Sequence, residues 1–175
     1  MEIRFRPADA RRDHAVLTEL NVEYLDWLDE NIQHDFGISL PPLLGQPIPD
    51  YVAATLDKLC DAEPPEGVFY TVYCDGRVVG MGGVRRTSDG ASEMKRVFVR
   101  PDQRGGGLGI TIVRRLITDA TSYGYTSMRL DSGPFMTSAH RLYEAAGFQD
   151  RPIYDGAEVP GELHHNWRFM ERSLR

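Results

Sequence analysis

Cysteine is scarce: Cys60 and Cys74 are the only two in 175 residues, far apart and in no C-x-x-C pattern. That spacing suggests neither a zinc site nor a redox pair, and both are read as reduced core thiols. Long hydrophobic runs are missing too. No window approaches the ~20 apolar residues needed to span a bilayer, and the leading M-E-I-R-F-R-P has no apolar signal region. A cytoplasmic location is the resulting expectation. Positive charge is in deficit, with 20 Lys and Arg against 26 Asp and Glu for a net charge of -6. This disfavours nonspecific binding to nucleic acid or anionic membrane, since both attract a protein through clustered Lys and Arg. Histidine never falls into a ligand pattern. His164 and His165, read as strand neighbours, point to opposite faces, and no carboxylate spacing completes a site with them or with His140, so no metal is expected. Internal repeats, low-complexity tracts and interdomain linkers are lacking as well.

What is present suits one domain, residues 1–175, large enough to bury roughly two thirds of its unfolded surface without staples. Ile3 and Phe5 alternate with Arg4 and Arg6 as a short strand. Asp9 or Asp13 caps a helix whose stripe is Leu17, Leu20, Tyr24 and Leu28, ending near Asn31. From Ile32 to Pro49 the glycines and prolines predict a loop, a candidate substrate-facing lid. A second helix carries Val52, Leu56 and Leu59. Three antiparallel strands follow, Val68–Cys74, Arg77–Arg86 and Glu93–Val99, joined through Asp75-Gly76 and Asp89-Gly90. A helix with Ile112, Val113, Leu116, Ile117 and Ala120 runs to about Tyr123, and a short strand spans Thr126–Leu130. Another helix presents Ala139, Leu142 and Ala146, and Phe148 begins another extended segment. A long loop from Asp150 to Leu163 precedes a last strand over His164–Met170. The fold class is α/β (α+β), with a mixed, mostly antiparallel central sheet flanked by helices.

The stretch Glu93 to Gly109, E-M-K-R-V-F-V-R-P-D-Q-R-G-G-G-L-G, organises the rest. A glycine run opening a helix leaves backbone amides unobstructed and points unpaired N–H groups at one space, an anion cradle. Lys95, Arg96, Arg100, Arg104, Arg114 and Arg115 form a basic cluster in the sequence around it. Two phosphate fingerprints do not fit: there is no Gly-Lys-Ser/Thr triplet, and the glycines are not spaced G-x-G-x-x-G.

The element order, Arg104-Gly105-Gly106-Gly107-Leu108-Gly109 after a V-x-V strand, and the later Ala139-His140-Arg141-Leu142-Tyr143-Glu144-Ala145-Ala146-Gly147-Phe148 together resemble the GCN5-related N-acetyltransferase (GNAT) family. The resemblance covers most of the chain and implies acetyl-CoA as cosubstrate. It implies that amides of Gly105, Gly106, Gly107, Leu108 and Gly109, assisted by Arg104, receive the pyrophosphate. Val97, Phe98 and Val99 would pair with the pantetheine arm, the Val97 amide polarising the thioester carbonyl. Glu93 is the candidate base for the amine, on one face with Val97 if the strand alternates strictly. Tyr143 is the candidate acid for the departing thiolate. Where family members often have Asn, this chain has Met136, with Thr137 or Ser138 as substitutes.

The reaction implied is acetyl transfer to a primary amine of a small molecule or peptide by direct attack. Tyr24, Trp27, Asp26, Asp29, Glu30 and Asp35 are candidates to line the amine pocket, although a solvated helix face accounts for the acids more simply. Open alternatives are transfer of another acyl group and an acyl-CoA-sensing module without turnover. The reading leaves room for a homodimer.

Overall fold

The computed structural model describes residues 2–88 and 90–175. Its elements run β1 (Ile3–Pro7), α1 (His14–Phe36), α2 (Leu40–Leu44), α3 (Ile48–Cys60), β2 (Gly67–Cys74), β3 (Arg77–Ser88), β4 (Ala91–Val99), α4 (Leu108–Ser122), β5 (Ser127–Ser132), α5 (Thr137–Ala145), β6 (Gln149–Arg151) and β7 (Arg168–Ser173). Short 3-10 turns lie at Pro101–Gln103 and Gly161–Asn166. Asp89 of the second hairpin turn lies outside the described residues; Gly90 takes a φ of +74°.

One seven-stranded sheet has the order β1-β2-β3-β4-β5-β7-β6. Every neighbouring pair is antiparallel except β4 with β5, which run parallel. This is the mixed, mostly antiparallel sheet expected. Each face carries its own core. Val68, Tyr70, Val72, Val84 and Met94 pack against α4 through Ile112, Val113 and Leu116. Phe69, Met81 and Phe98 on the opposite face pack with Leu17, Leu20, Leu28, Ile32, Val52 and Leu56 of α1 and α3.

The expected loop from Ile32 to Pro49 is instead mostly helical. Its breakers act as punctuation: Gly37 closes α1 at a φ of +66° with its N–H on the Gln33 carbonyl, and Gly45 closes α2 at +75°. Pro41 and Pro42 sit in the first turn of α2, where no intrahelical N–H is required. Asp29 reaches from α1 to accept the Leu40 N–H at 2.6 Å, which fixes the corner. Ile32, past the expected end of α1, is fully buried, and burying such a side chain is worth about 1.5–3 kcal/mol, enough to carry the helix another turn. His164 and His165 likewise fall in the second 3-10 turn rather than in a strand.

Candidate active site

Strand β4 is paired with β5 only from Ala91 to Glu93, opposite Ser127 to Arg129. A bulge then follows. Gly83 pairs with Lys95 but Met81 with Phe98, so β4 carries one extra residue there, and Arg96 adopts a φ of +49°. The two strands part, and the β5-facing edge of β4 is left without a strand neighbour from Met94 onward. A cleft of about 540 Å3 occupies the space beside this edge.

Two helix N-termini face that cleft. Gly107, at a φ of +78°, precedes α4 without a side-chain cap, and the first intrahelical bond is Thr111 N–H to Gly107 carbonyl at 3.1 Å. The amides of Leu108, Gly109 and Ile110 therefore have no intrahelical partner. Gly105 takes a φ of +88°, and a Cβ added at Gly105, Gly106 or Gly107 would find no atom within 4 Å. Gly105, Gly107, Leu108 and Gly109 line the cleft; Gly106 does not. At α5 the first bond is His140 N–H to Met136 carbonyl at 2.9 Å, leaving the Thr137, Ser138 and Ala139 amides on the same cleft. These donors and the open space beside them fit a pyrophosphate and its arm.

The β4 edge supplies the remaining donors. The Arg100 N–H bonds to the Val79 carbonyl of β3 at 2.9 Å. Backbone direction alternates along a strand, so the Val97 and Val99 amides face away from β3, toward the cleft. Arg104 stands at its mouth, donating from Nε to the Val99 carbonyl at 2.9 Å, with its guanidinium 5.6 Å from the Trp27 ring and 5.8 Å from Phe98. Tyr143 lines the deep end. Burial, reinforced by Tyr24 and Asp131, holds its phenol above the ordinary value and therefore protonated.

Glu93, the last β4 residue still paired with β5, lies on the other face of the sheet. The bulge reverses the expected relation: Val97 packs toward Gly82, Ile112 and Leu116 on the α4 face, whereas Glu93 turns to the α1 and α3 face beside Arg85. A smaller cavity of about 140 Å3 receives it, lined also by Tyr24, Arg96, Asp131 and Trp167. Tyr24 lines both cavities and so marks where they meet. Glu93 is 2% exposed, and burial pushes its carboxyl up to about 7 against the pull of Arg85 at 3.3 Å. Burial also raises Asp131, whose carboxylate accepts the Trp167 indole N–H at 2.9 Å.

The loop between β6 and β7 closes over this side, with Val159, Pro160 and Leu163 lining the cavity and the Gly156 carbonyl accepting from Arg85 at 3.0 Å. Glu158 accepts from Lys95 at 2.6 Å and Arg85 at 2.8 Å, with Lys58 at 3.5 Å. Burial opposes the shift, but Lys95 and Arg85 hold its carboxyl down at about 2. Sequence reasoning missed Arg85, Asp131 and Glu158 as site residues; distance along the chain concealed Asp131 and Glu158, whereas Arg85 is the cross-strand partner of Glu93 eight positions away.

The basic cluster of the sequence disperses in space. Lys95 and Arg96 point to the Glu93 side, Arg100 pairs with Glu19 and Glu23 of α1, and Arg115 pairs with Asp119 and the Tyr70 hydroxyl. Of the six, Arg104 alone borders the large cleft. Among the expected acidic pocket residues, Asp29 caps α2 instead.

This architecture is shared with solved structures. An acetyltransferase from Streptococcus agalactiae superposes with a TM-score of 0.70 at 18% identity, covering 98% of each chain. The PaiA N-acetyltransferase of Thermoplasma acidophilum, in complex with coenzyme A, gives 0.67 at 15% identity over 99% of each. The chain thus shares its fold with acetyltransferases of known structure. The chain belongs to the acetyltransferase (GNAT) family, whose model matches residues 26–148. The IAA acetyltransferase of Azospirillum brasilense is a relative at 30% identity over 149 residues, covering 83% of this chain and 95% of the relative. The protein is an N-acetyltransferase that uses acetyl-CoA, as the sequence resemblance implies.

Proposed function

We propose that residues 1–175 form one catalytic domain that moves acetyl from acetyl-CoA to a primary amine of a small molecule or peptide by direct attack. The observation that carries this reading is Glu93, a buried carboxyl raised to about 7 in a cavity that meets the cleft of Val97 and Tyr143 at Tyr24. A base is most effective when its pKa lies near the working pH. A lysine-type amine with pKa ~10.4 is only about one part in a thousand neutral near pH 7.4, so it needs such a base.

Each residue then has one task. The amides of Gly105, Gly107, Leu108 and Gly109 bind the pyrophosphate, and Arg104 adds charge at the cradle's edge. The Val97 N–H donates to the carbonyl oxygen as negative charge develops there. Glu93 takes the proton from the attacking amine, and the Tyr143 hydroxyl returns one to the departing sulfur. The net charge of -6 favours an acceptor other than nucleic acid or anionic membrane.

The test is release of free thiol when the protein is mixed with acetyl-CoA and a panel of primary amines. Turnover on at least one amine is expected; tight binding of acetyl-CoA with no thiol released on any of them would replace this reading with the sensing module.

A further inference from the structure

Arg96 occupies the bulge of β4 and has no carboxylate partner among the described residues. Its neighbours on the same two cavities are matched: Arg85 pairs with Glu93 and Glu158, and Lys95 and Lys58 pair with Glu158. Arg96 instead donates from Nη1 to the Asn21 side-chain oxygen at 2.6 Å. Asn21 is fully buried and anchored in turn, its Nδ2 donating to the Leu17 carbonyl at 2.8 Å. The guanidinium is thus held from one side, and its remaining N–H groups are not sealed in protein.

Arg96 borders both the 140 Å3 cavity holding Glu93 and an adjoining cavity of about 250 Å3, and it does not line the cleft of the glycine cradle. Its charge is therefore not spent on the pyrophosphate. A half-buried guanidinium without a counter-ion is unusual in a chain with six more acidic than basic residues, where a carboxylate partner is easily supplied.

Resting on the transferase reading above, we propose that the missing counter-ion comes with the acceptor: the substrate is a small amino acid whose carboxylate binds Arg96 while its amine faces Glu93. A guanidinium presents a planar fork that matches a carboxylate through two parallel hydrogen bonds. Arg96 also directly precedes Val97, whose amide faces the reacting carbonyl, and consecutive Cα atoms are only about 3.8 Å apart. Arg96 and Glu93 line one cavity of about 140 Å3, so amine and carboxylate are separated by few bonds. A cavity near 140 Å3 suits this, being close to the ~150 Å3 that holds a benzene-sized ligand. Arg96 is a specificity-determining residue in this scheme and takes no part in proton transfer.

The experiment compares amino acids with their own carboxamides as acceptors at saturating acetyl-CoA, reading kcat/KM per neutral amine from thiol release. The free acids are expected to be preferred by about tenfold or more, as for a charge-assisted hydrogen-bonded pair. Arg96→Gln should bring the ratio toward one by raising the acceptor KM, with the KM for acetyl-CoA unchanged, and Arg96→Lys should restore part of the preference. Carboxamides accepted as well as the acids overturn the inference while leaving the transferase reading intact. An unchanged preference in folded Arg96→Gln also overturns it. No turnover on any amine overturns both readings. The wild-type comparison decides even if a variant does not fold.

Discussion

On the cleft side of the sheet the groups aimed at a ligand are chiefly backbone amides, presented by the N-termini of α4 and α5 and by the edge of β4, with the Arg104 and Tyr143 side chains beside them. On the other side they are side chains, with Tyr24 from α1, Glu93 and Arg96 from β4, and Asp131 from β5. Amides positioned by regular structure carry fixed partial charge and cannot titrate, so the cleft side offers the same field at any working pH. The Glu93 side is governed by burial and pairing, which move its groups toward neutrality or hold them charged. A common ligand moiety is thus met by backbone, and the variable acceptor by side chains that substitution can change without disturbing the fold.

The largest expected effect lies on the side-chain half. Glu93→Gln should lower kcat for a lysine-type amine by about 10²–10³, in line with loss of a general base. It should also remove the rise in rate as pH passes through about 7. An α-amino acceptor of pKa ~8 should lose less, because more of it is already neutral. Rate against pH for two amines, in both proteins, checks this. Equal losses would mean that Glu93 does not act on the amine.

The backbone half should respond in a different parameter. Gly107→Val forces a β-branched residue to a φ of +78°, at a cost of about 1–2 kcal/mol, although nothing within 4 Å obstructs its Cβ. Acetyl-CoA affinity measured by calorimetry should fall roughly tenfold as the amides lose alignment, while the acceptor KM stays within about a factor of two. A drop in kcat at unchanged cofactor affinity would show that the two sides are not separable.

A further effect concerns stability rather than catalysis. Glu93 binds its proton more tightly in the folded state, at about 7 against an ordinary 4.5, so the folded protein holds the extra proton between those values. Stability contributed by this group is therefore full below about 4.5 and falls as pH rises through about 7. Glu93→Gln removes that fall, and its Tm relative to wild type should be higher at pH 8 than at pH 5, by up to about 3 kcal/mol in stability. An identical difference at both pH values would show that the carboxyl is not perturbed in the folded state.

The same contrast explains what could be read in advance. Amide cradles need glycine and a helix start in adjacent positions, and Arg104 to Gly109 displays both, so the cleft residues Gly105, Gly107, Leu108 and Gly109 were legible. The V-F-V edge came from the family resemblance and its position alone, since valines suit a plain core strand equally well. The expected loop at Ile32–Pro49 failed because Gly37, Pro41, Pro42, Gly45 and Pro47 are compatible with helix ends as well as with loops, and only the buried Ile32 and the Asp29 cap select the former. Met136 in place of the family's common Asn leaves the α5 terminus to backbone amides.

By itself the sequence determined most of the strands and helices, α2 excepted, together with the glycine run at a helix start and the family, because hydrophobic period and glycine placement act between residues close in the chain. Tertiary structure alone decided which face Glu93 takes, since one inserted residue at Arg96 inverts strand alternation beyond it. It also decided that Glu158, 63 positions from Lys95, closes over that side and that Arg96 meets Asn21 and no carboxylate among the described residues. Burial sets the charge state of such groups, and burial is a property of segments that meet only when the sheet is complete.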